Sequence, residues 1–340
     1  MLDNPLYAHV ATASLNQTVG DWGGNAARIR AAIAAARERG ARLLVLPEMC
    51  IPGYSLGDRL VMRDTLDRSW SALEGLRRHT AGMVVCVGLP IRHDGVLYNA
   101  VAVLADGQIA GLVAKEYLAT GDVQYENRWY QGWTHGRVET FTAPDGTEIP
   151  IGTQVFDAPG IGVFGIEVCE DGWKGMRPGS IYALAGAQLV LNPSASWFTV
   201  GKHRVRRDMV RQISREDHTA YLYTSLLGCD ATRLVFDGSV FIAHDGNVLR
   251  EGRRFLFETD FELVDAVIDV EALAHARSEE GSWRQQVDAL HRGDFGAIPA
   301  SVRLRGDFST VRTAPPPPPY WLAGTEAEAV DPSLSWLAEA

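Results

Sequence analysis

Short apolar runs separated by polar or glycine-containing segments recur along the first 270 residues of the chain. Leu43–Leu46 and Met83–Leu89 carry apolar residues on both faces, a pattern typical of strands buried within a sheet. Leu97–Leu104 and Ile109–Val113 flank Asp106-Gly107, which predicts a hairpin with a type I′ turn. Similar runs predict further strands at Leu6–Ala13, Gly160–Val168, Leu189–Leu191, Tyr221–Leu227, Leu234–Phe236 and Ser239–Ala243.

Helical periodicity alternates with these strands. Asn25 is predicted to cap a helix in which Ile29, Ile33 and Ala36 share one face, and Gly40 is predicted to end that helix. Strands that alternate with helices and are interrupted by hairpins indicate a mixed α/β domain rather than a purely parallel one. Further helices are predicted at Ser180–Ala187, Lys202–His218 and Glu271–Gln286.

The composition is that of a globular protein. Of the 340 residues 46% are hydrophobic and 22% are charged, which excludes an intrinsically disordered chain. The 32 basic and 42 acidic residues give a net charge of −10, which disfavours nucleic acids and anionic membranes as partners. We predict one large domain over residues 1–275 and a C-terminal extension over 276–340, with an extended Pro315–Pro319 segment and an acidic tail.

The sequence favours the cytoplasm as the compartment of this protein. No run approaches the ~18 apolar residues of a membrane span, and the first residues do not resemble a secretory signal. The four cysteines lie far apart without a C-x-x-C pair, which disfavours a disulfide framework and a zinc finger. No spacing typical of metal ligands is present, so we expect neither a metal nor another cofactor.

Glu48, Lys115 and Cys169 each follow the end of a predicted buried strand, where sites in α/β sheets gather. A thiol that attacks a carbonyl carbon, a carboxylate that takes its proton and an ammonium that stabilises the oxyanion are the groups needed for covalent amide hydrolysis. Taken singly, each residue also has an ordinary explanation. Glu48 and Lys115 could be strand ends in solvent, and Cys169 could be a buried strand cysteine.

The residues around Cys169 disfavour a reactive thiol unless a base or a cation assists it. Glu167, Glu170 and Asp171 are predicted to raise the pKa of this thiol above its usual ~8.5. A histidine would be the base in a competing type of cysteine hydrolase. The nine histidines are scattered, and none follows an apolar run as Glu48 does.

Three separated motifs, in this order, resemble those of the nitrilase (carbon–nitrogen hydrolase) superfamily: Leu46–Tyr54, Lys115–Leu118 and Glu167–Trp173. Within the superfamily the chain most resembles the glutaminase domain of glutamine-dependent NAD synthetases, over about residues 6–270. This closer similarity is carried by Asp58, Tyr125–Arg128, Asn192–Ser196 and Phe236–Ser239.

The resemblance implies a four-layer α-β-β-α sandwich and a site whose members have defined roles. It implies that Cys169 is the nucleophile, Glu48 the general base and Lys115 the cation at the oxyanion. The backbone N–H of Glu170 would be a second oxyanion donor, and Glu126 would orient the lysine and the substrate. Because members of the superfamily usually pair through helices, a homo-oligomer is expected.

The resemblance also implies residues for an amino acid amide, whose ammonium and carboxylate both need partners when they are buried. Glu170 would receive the ammonium, Ser196 and Lys202 would hold the carboxylate, and Tyr54 would wall the pocket. Trp173, at the end of the third motif, is included among the substrate-binding residues. From the residues alone, Ser196 and Lys202 could equally be ordinary loop or surface positions.

Two further clusters admit more than one explanation. Four aromatic residues either wall the pocket or pack at an interface: Tyr125, Trp129, Tyr130 and Trp133. Five arginines form a basic helix that we expect to be solvated or to face another subunit: Arg204, Arg206, Arg207, Arg211 and Arg215.

The sequence therefore predicts a cysteine-dependent amidohydrolase that cleaves glutamine or a related small amide through a thioester. Its ammonia would pass to water or to a separate ammonia-using synthetase. The sequence shows no Ser-Gly-Gly-Ile-Asp-Ser type pyrophosphate loop, so we do not expect NAD synthesis by this chain unaided. The segment Leu118–Gly121 departs from the synthetases, which leaves open a different small amide or a nitrile. A non-catalytic binding or regulatory subunit is the third alternative.

Overall fold

The computed structural model describes residues 7–121, 123–230, 232–256 and 258–309. Its strands are β1 (Tyr7–Leu15), β2 (Leu43–Val45), β3 (Val84–His93), β4 (Val96–Ala105), β5 (Gln108–Ala114), β6 (Val138–Thr142), β7 (Glu148–Gly152), β8 (Gln154–Ala158), β9 (Gly162–Ile166), β10 (Leu189–Ser194), β11 (Ala220–Ser225), β12 (Leu227–Cys229), β13 (Val235–Asp237), β14 (Val240–His244), β15 (Asn247–Glu251), β16 (Phe261–Asp269) and β17 (Ala300–Arg303). Its α-helices are α1 (Trp22–Glu38), α2 (Arg63–Arg77), α3 (Pro178–Leu184), α4 (Lys202–Glu216), α5 (Val270–Glu279) and α6 (Gly281–Arg292). The predicted Pro315–Pro319 segment and acidic tail lie outside the described residues.

Two mixed sheets form the centre of the molecule. The first has the strand order β16-β1-β2-β3-β4-β5-β7-β6, and the second has the order β15-β14-β11-β10-β9-β8-β17. The strands β1, β2 and β3 are parallel in the first sheet, as are β9, β10 and β11 in the second. Antiparallel strands flank both parallel groups. This arrangement confirms the predicted mixed α/β class.

The two sheets face each other across an apolar layer, and helices cover their outer faces. Val10 of the first sheet and Phe164 of the second belong to the cluster between the sheets. Ile29 of α1 and Leu73 of α2 pack on the outer side of the first sheet, and Val210 of α4 packs on the second. The layers are therefore those of the predicted α-β-β-α sandwich. Within the described ranges, no helix combines the length and the apolar character needed to cross a bilayer.

Most predicted elements lie within a few residues of their expected bounds. The hairpin between β4 and β5 turns at Asp106 and Gly107, whose φ angles of 46° and 80° suit a type I′ turn. The predicted cap of α1 was wrong: Asp21 caps the helix, whereas Asn25 is buried and bonds the loop that precedes it. Asparagine suits both a helix N-cap and a buried position where its side chain bonds a loop backbone, so the residue type alone could not distinguish the two roles.

One predicted helix is two helices, and one helix was not predicted. The span Glu271–Gln286 is divided between α5 and α6 at Glu280, whose backbone is extended. Because α5 packs against the sheets and α6 packs against α3, the break lets each helix bury its own face. The pattern missed α2 because its buried face includes the polar Thr65 and Ser69, which interrupt the apolar periodicity.

The described residues beyond position 275 pack on the sandwich. The predicted domain boundary lies within α5, and the independence of residues 1–275 as a domain stays a prediction. Beyond it, α6 contacts α3, and β17 adds a parallel strand beside β8. Leu304 and Phe308 are buried in the cluster between the two sheets.

Gly88 in β3 lets the segment that carries Glu48 lie directly on the first sheet. A Cβ atom at Gly88 would stand 2.3 Å from the backbone N of Met49 and 2.7 Å from the carbonyl O of Pro47. Both distances are far below the ~3.5–4.0 Å of an optimal contact. The neighbouring atoms belong to the backbone and cannot rotate away, so this position requires glycine.

We expect Gly88→Ala to lower the free energy of unfolding by about 3 kcal/mol, since the added methyl group would displace the Pro47–Met49 backbone. The matched control is Gly75→Ala in α2, where no heavy atom lies within 4 Å of the added carbon. It should raise the free energy of unfolding by about 0.4–1 kcal/mol. Urea denaturation measures both values. A Gly88→Ala protein as stable as the wild type would contradict the close approach.

Candidate active site

Three charged side chains meet inside the protein near the ends of strands. Lys115 directly follows β5, Glu48 follows β2, and Glu126 begins a short 3₁₀ turn. The Nζ atom of Lys115 lies 2.7 Å from Oε1 of Glu48 and 2.9 Å from the Glu126 carboxylate. Lys115 and Glu48 have no exposed surface, and Glu126 is 2% exposed. An ammonium between two carboxylates is therefore removed from water, and neither Glu48 nor Lys115 is a strand end in solvent.

Donors from two further segments hold the Glu48 carboxylate. The Nδ2 group of Asn99 donates to its Oε1 at 2.7 Å, and the backbone N–H of Ala195 donates to its Oε2 at 2.8 Å. The sequence analysis missed both donors. Asn99 does carry a signal, because it is a polar residue inside the apolar run of β4. A backbone donor such as Ala195 leaves no signal in the residue type.

Glu126 is fixed by a side chain and by the backbone. The hydroxyl of Tyr54 donates to its Oε1 at 2.7 Å, and the backbone N–H of Ala119 donates to its Oε2 at 2.8 Å. The Nε2 group of Gln124 in turn donates to the Tyr54 oxygen at 3.0 Å. Ala119 lies in Leu118–Gly121, the segment expected from the sequence to depart from the synthetases, but its contribution is a backbone N–H, which a change of side chain preserves.

Cys169 begins a 3₁₀ turn that follows β9. Its φ of 49° lies in the left-handed region, which is uncommon for a residue other than glycine and recurs at functional sites. Asp171 holds this turn, since it accepts hydrogen bonds from the backbone of Val168 at 2.8 Å and of Tyr117 at 2.7 Å. The bond to Tyr117 ties the turn that carries the thiol to the segment that follows Lys115.

Burial raises the pKa of the Cys169 thiol to about 12, and the Glu48 carboxylate is the next cause in size. Lys115 acts in the opposite direction. The predicted direction is confirmed, but the carboxylates responsible are those of Glu48 and Glu126 rather than the three acids adjacent in sequence. The thiol therefore lies within electrostatic reach of the buried cluster.

Burial also changes the pKa values of Glu48 and Lys115. Burial raises the pKa of Glu48 above its usual value, and Lys115 partly opposes that effect. For Lys115, burial lowers the pKa, but Glu126 and Glu48 outweigh it and hold the pKa well above its usual value. Near neutral pH the site thus holds a protonated thiol and a charged ammonium, beside a Glu48 carboxyl group with increased proton affinity.

A cleft borders this cluster. Tyr54 and Glu126 form part of its wall, so the cleft reaches the residues that contact Lys115. Tyr125, Trp129 and Tyr130 give the cleft an aromatic side. These three residues therefore wall this cleft, as one of the two explanations from the sequence predicted, and its role as the substrate pocket stays a prediction.

The rim of the cleft joins two of the motifs noted in the sequence. Asp58 accepts hydrogen bonds from Arg128 at 2.9 and 3.0 Å and from the indole N–H of Trp129 at 2.8 Å. This contact ties the loop after Tyr54 to the 3₁₀ turn of Glu126. Trp133, by contrast, is buried in the core with its ring 5.0 Å from that of Tyr98.

The predicted substrate-binding residues divide into two groups. Tyr54 lines the cleft, whereas the other four are not among its lining residues in the described part of the chain. Glu170 forms an ion pair with Lys174, and Trp173 is half-buried at the end of the 3₁₀ turn. Ser196 accepts a hydrogen bond from Arg206. The Lys202 ammonium lies 4.7 Å from the centre of the Trp197 ring. Their part in substrate binding stays a prediction.

One group of described side chains has the spacing of cation ligands, namely His93, Asp94 and Glu139. Arg137 donates to both carboxylate oxygens of Glu139, at 2.5 and 2.7 Å. A guanidinium thus already neutralises the strongest potential ligand of the group, and the group gives no support for a metal site.

Comparison with known proteins identifies relatives for most of the chain. The sequence pattern of the carbon-nitrogen hydrolase family matches residues 9–277. The glutamine-dependent NAD(+) synthetase of Saccharomyces cerevisiae is 32% identical over 279 residues, which cover 79% of this chain and 39% of the yeast protein. A glutamine-dependent NAD(+) synthetase from Cytophaga hutchinsonii superimposes with a TM-score of 0.71 and 33% identity, covering 77% of this chain and 43% of that one. This chain spans less than half the length of these synthetases.

The fold is also similar to that of a shorter protein. An amidase of the nitrilase superfamily from Nesterenkonia superimposes with a TM-score of 0.62 and 22% identity, covering 84% of this chain and 96% of that one. At this identity the similarity concerns the fold alone. The residues matched by the family pattern include Glu48, Lys115, Glu126 and Cys169.

Because burial raises the pKa of Cys169 to about 12, we expect a thiol that keeps its proton in the resting protein. The ultraviolet difference spectrum between the wild type and Cys169→Ser should show no thiolate step between about pH 6 and pH 10. The unfolded wild type serves as the positive control for the thiolate signal. A step near neutral pH would indicate a preformed thiolate–ammonium pair with Lys115 and would contradict this assignment.

Proposed function

This chain belongs to the carbon–nitrogen hydrolase family, and we propose that it hydrolyses the side-chain amide of glutamine through a thioester on Cys169, with release of ammonia. The observation that carries the proposal is the buried ammonium of Lys115, 2.7 Å from Glu48 and 2.9 Å from Glu126, within electrostatic reach of Cys169. A thiol, a carboxylate and an ammonium are the groups that covalent amide hydrolysis requires.

In the first half of the reaction the Cys169 sulfur attacks the carbonyl carbon of the amide while its proton passes to Glu48. The carbonyl oxygen becomes an oxyanion, which the Lys115 ammonium and the backbone N–H of Glu170 stabilise. The intermediate collapses when the C–N bond breaks. Glu48 returns the proton to the nitrogen, which leaves as ammonia, and the acyl group remains on sulfur as a thioester.

In the second half a water molecule attacks the thioester carbon, and Glu48 takes a proton from it. The oxyanion forms again beside Lys115. When the C–S bond breaks, the proton held by Glu48 returns to the sulfur, so the thiol is restored and the carboxylic acid is released. Glu126 touches the ammonium rather than the thiol and keeps Lys115 oriented toward the oxyanion.

Two points support glutamine as the substrate. The synthetases to which this chain is similar carry glutamine in their names and share 32–33% identity with it. Glu170 is proposed to receive the ammonium of glutamine, and Ser196 and Lys202 its carboxylate. The Ser196 oxygen accepts a hydrogen bond from Arg206 at 3.1 Å, which orients the side chain proposed to hold the carboxylate.

A different small amide or a nitrile is the second candidate. The cleft has the aromatic side formed by Tyr125, Trp129 and Tyr130, and the three residues proposed for the charged ends of glutamine are not among its described lining residues. These features would suit an uncharged substrate. For either substrate we propose a cytoplasmic homo-oligomer whose ammonia passes to water or to a separate ammonia-using synthetase.

Replacing the nucleophile tests catalysis against the non-catalytic alternative. Cys169→Ala should lower ammonia release by at least about a thousandfold, because no acyl-enzyme can form. Its circular dichroism should match that of the wild type. The matched control Cys86→Ala removes another buried cysteine of the same core cluster and should leave ammonia release within about twofold. Wild-type turnover in Cys169→Ala, or a wild type that releases no ammonia from any amide, would end the proposal.

A substrate panel separates the two catalytic candidates. We expect kcat/KM for glutamine to exceed that for an uncharged short amide or nitrile by at least about a hundredfold, since charged groups built to hold a substrate are left unpaired by an analogue without them. Ammonia detection over glutamine, asparagine, a neutral aliphatic amide and the corresponding nitrile gives the ratios. The reverse order would favour the uncharged substrate.

A further inference from the structure

Two features of the sequence, the arginines of α4 and the Phe236–Ser239 motif, meet inside the structure. Arg206 and Asp237 are both fully buried, and Nη1 of Arg206 lies 2.9 and 2.8 Å from the two carboxylate oxygens of Asp237. Arg204 and Arg211 on the same helix are exposed. The expectation of a solvated or subunit-facing helix was therefore wrong for Arg206, which faces the interior.

The remaining donors of Arg206 hold the chain that leaves β10. Its Nε donates to the Ser196 hydroxyl at 3.1 Å, and its Nη2 donates to the carbonyl groups of Ser196 at 2.9 Å and of Trp197 at 2.7 Å. The backbone N–H of Ser196 donates to the Ser225 hydroxyl at 3.1 Å. A planar guanidinium can make these bonds and the pair with Asp237 at once, whereas a lysine ammonium cannot.

The segment after β10 that Arg206 holds is also the segment that contacts Glu48. Ala195 immediately precedes Ser196, and its backbone N–H donates to Oε2 of Glu48 at 2.8 Å. The Ala195 backbone also lowers the pKa of the Cys169 thiol, against the effect of burial. We propose that Arg206 is a positioning residue that acts through Ser196 and Ala195 to fix the orientation and the proton affinity of the Glu48 carboxylate. This inference rests on the proposed role of Glu48 as the general base.

The sign of the expected effect follows from the Ala195 bond. A backbone N–H that donates to a carboxylate stabilises its ionised form, so weakening this bond raises the pKa of Glu48. Since the base must be ionised to act, the acidic limb of the pH–rate profile should move to higher pH. The other groups that face Glu48 are Lys115, Glu126, Cys169, Tyr54 and Tyr130. No hydrogen bond or ion pair between described residues joins Arg206 to any of them, so they do not depend directly on it.

The test is the Arg206→Lys variant, which keeps the positive charge but removes the planar guanidinium and its several hydrogen-bond donors. We expect kcat to fall at least about tenfold, because small displacements of reacting groups are costly. The acidic limb of the pH profile of kcat/KM should move to higher pH by at least about half a pH unit. The matched control is Arg207→Lys on the same helix, whose side chain bonds Glu251 at the surface. It should keep the wild-type profile.

A second variant and a second readout guard against a merely structural effect. Ser225→Ala removes both hydrogen bonds between the Ser225 hydroxyl and the Ser196 backbone. It should shift the acidic limb in the same direction by a smaller amount, even if Arg206→Lys folds poorly. The pH dependence of Cys169 alkylation by iodoacetamide, followed by mass spectrometry, needs no substrate and should shift in parallel. If the wild type hydrolyses amides and the folded variants keep its pH profile, the inference is wrong. If alkylation depends on Arg206 while no amide is hydrolysed, the inference stands and the proposed function fails.

Discussion

The burial of one ammonium between two carboxylates is the constraint on which the rest of the site depends. Lys115, Glu48 and Glu126 have almost no exposed surface, and taking an ion out of water costs several kcal/mol even in a favourable environment. The Lys115 ion pairs offset part of this cost, and neutral donors to the two carboxylates offset more of it. These donors are Asn99, Tyr54 and the backbone N–H groups of Ala119 and Ala195. Two of the four belong to the backbone, so the cluster depends on where the fold places its loops.

The same burial sets the order of the chemistry. A thiol whose pKa is raised to about 12 is a weak nucleophile until its proton leaves, and a buried carboxylate whose pKa is raised accepts that proton more readily. Lys115 stays charged because two carboxylates face it, so an ammonium is present where the oxyanion is proposed to develop. The resting site therefore keeps its proton on sulfur, and in the proposed mechanism that proton passes to Glu48 as the sulfur attacks the carbonyl carbon.

The sandwich brings these groups together by joining its two sheets. Glu48 follows β2 of the first sheet, whereas Ala195 follows β10 of the second, so the bond between them crosses from one sheet to the other. Each side has its own support. Gly88 admits the Pro47–Met49 backbone against β3, and Arg206 holds the chain that follows Ala195. The layers supply rigidity, and the loops at the strand ends supply the reacting groups.

The sequence by itself determined the class of the fold and most of the strands, because buried strands leave a pattern in residue types. The residues proposed to react were singled out by the resemblance of the sequence to a known family. That resemblance also predicted that Glu126 would join Lys115. Only the tertiary structure decided what holds these residues. Asn99 is a single polar residue within the apolar run of β4, Arg206 is one of five arginines on a helix expected to be solvated or to face another subunit, and Ala195 acts through a backbone N–H that every residue but proline carries. Such contacts depend on which loops the two sheets bring within 3 Å of each other, and no local pattern of hydrophobic and polar residues records that distance.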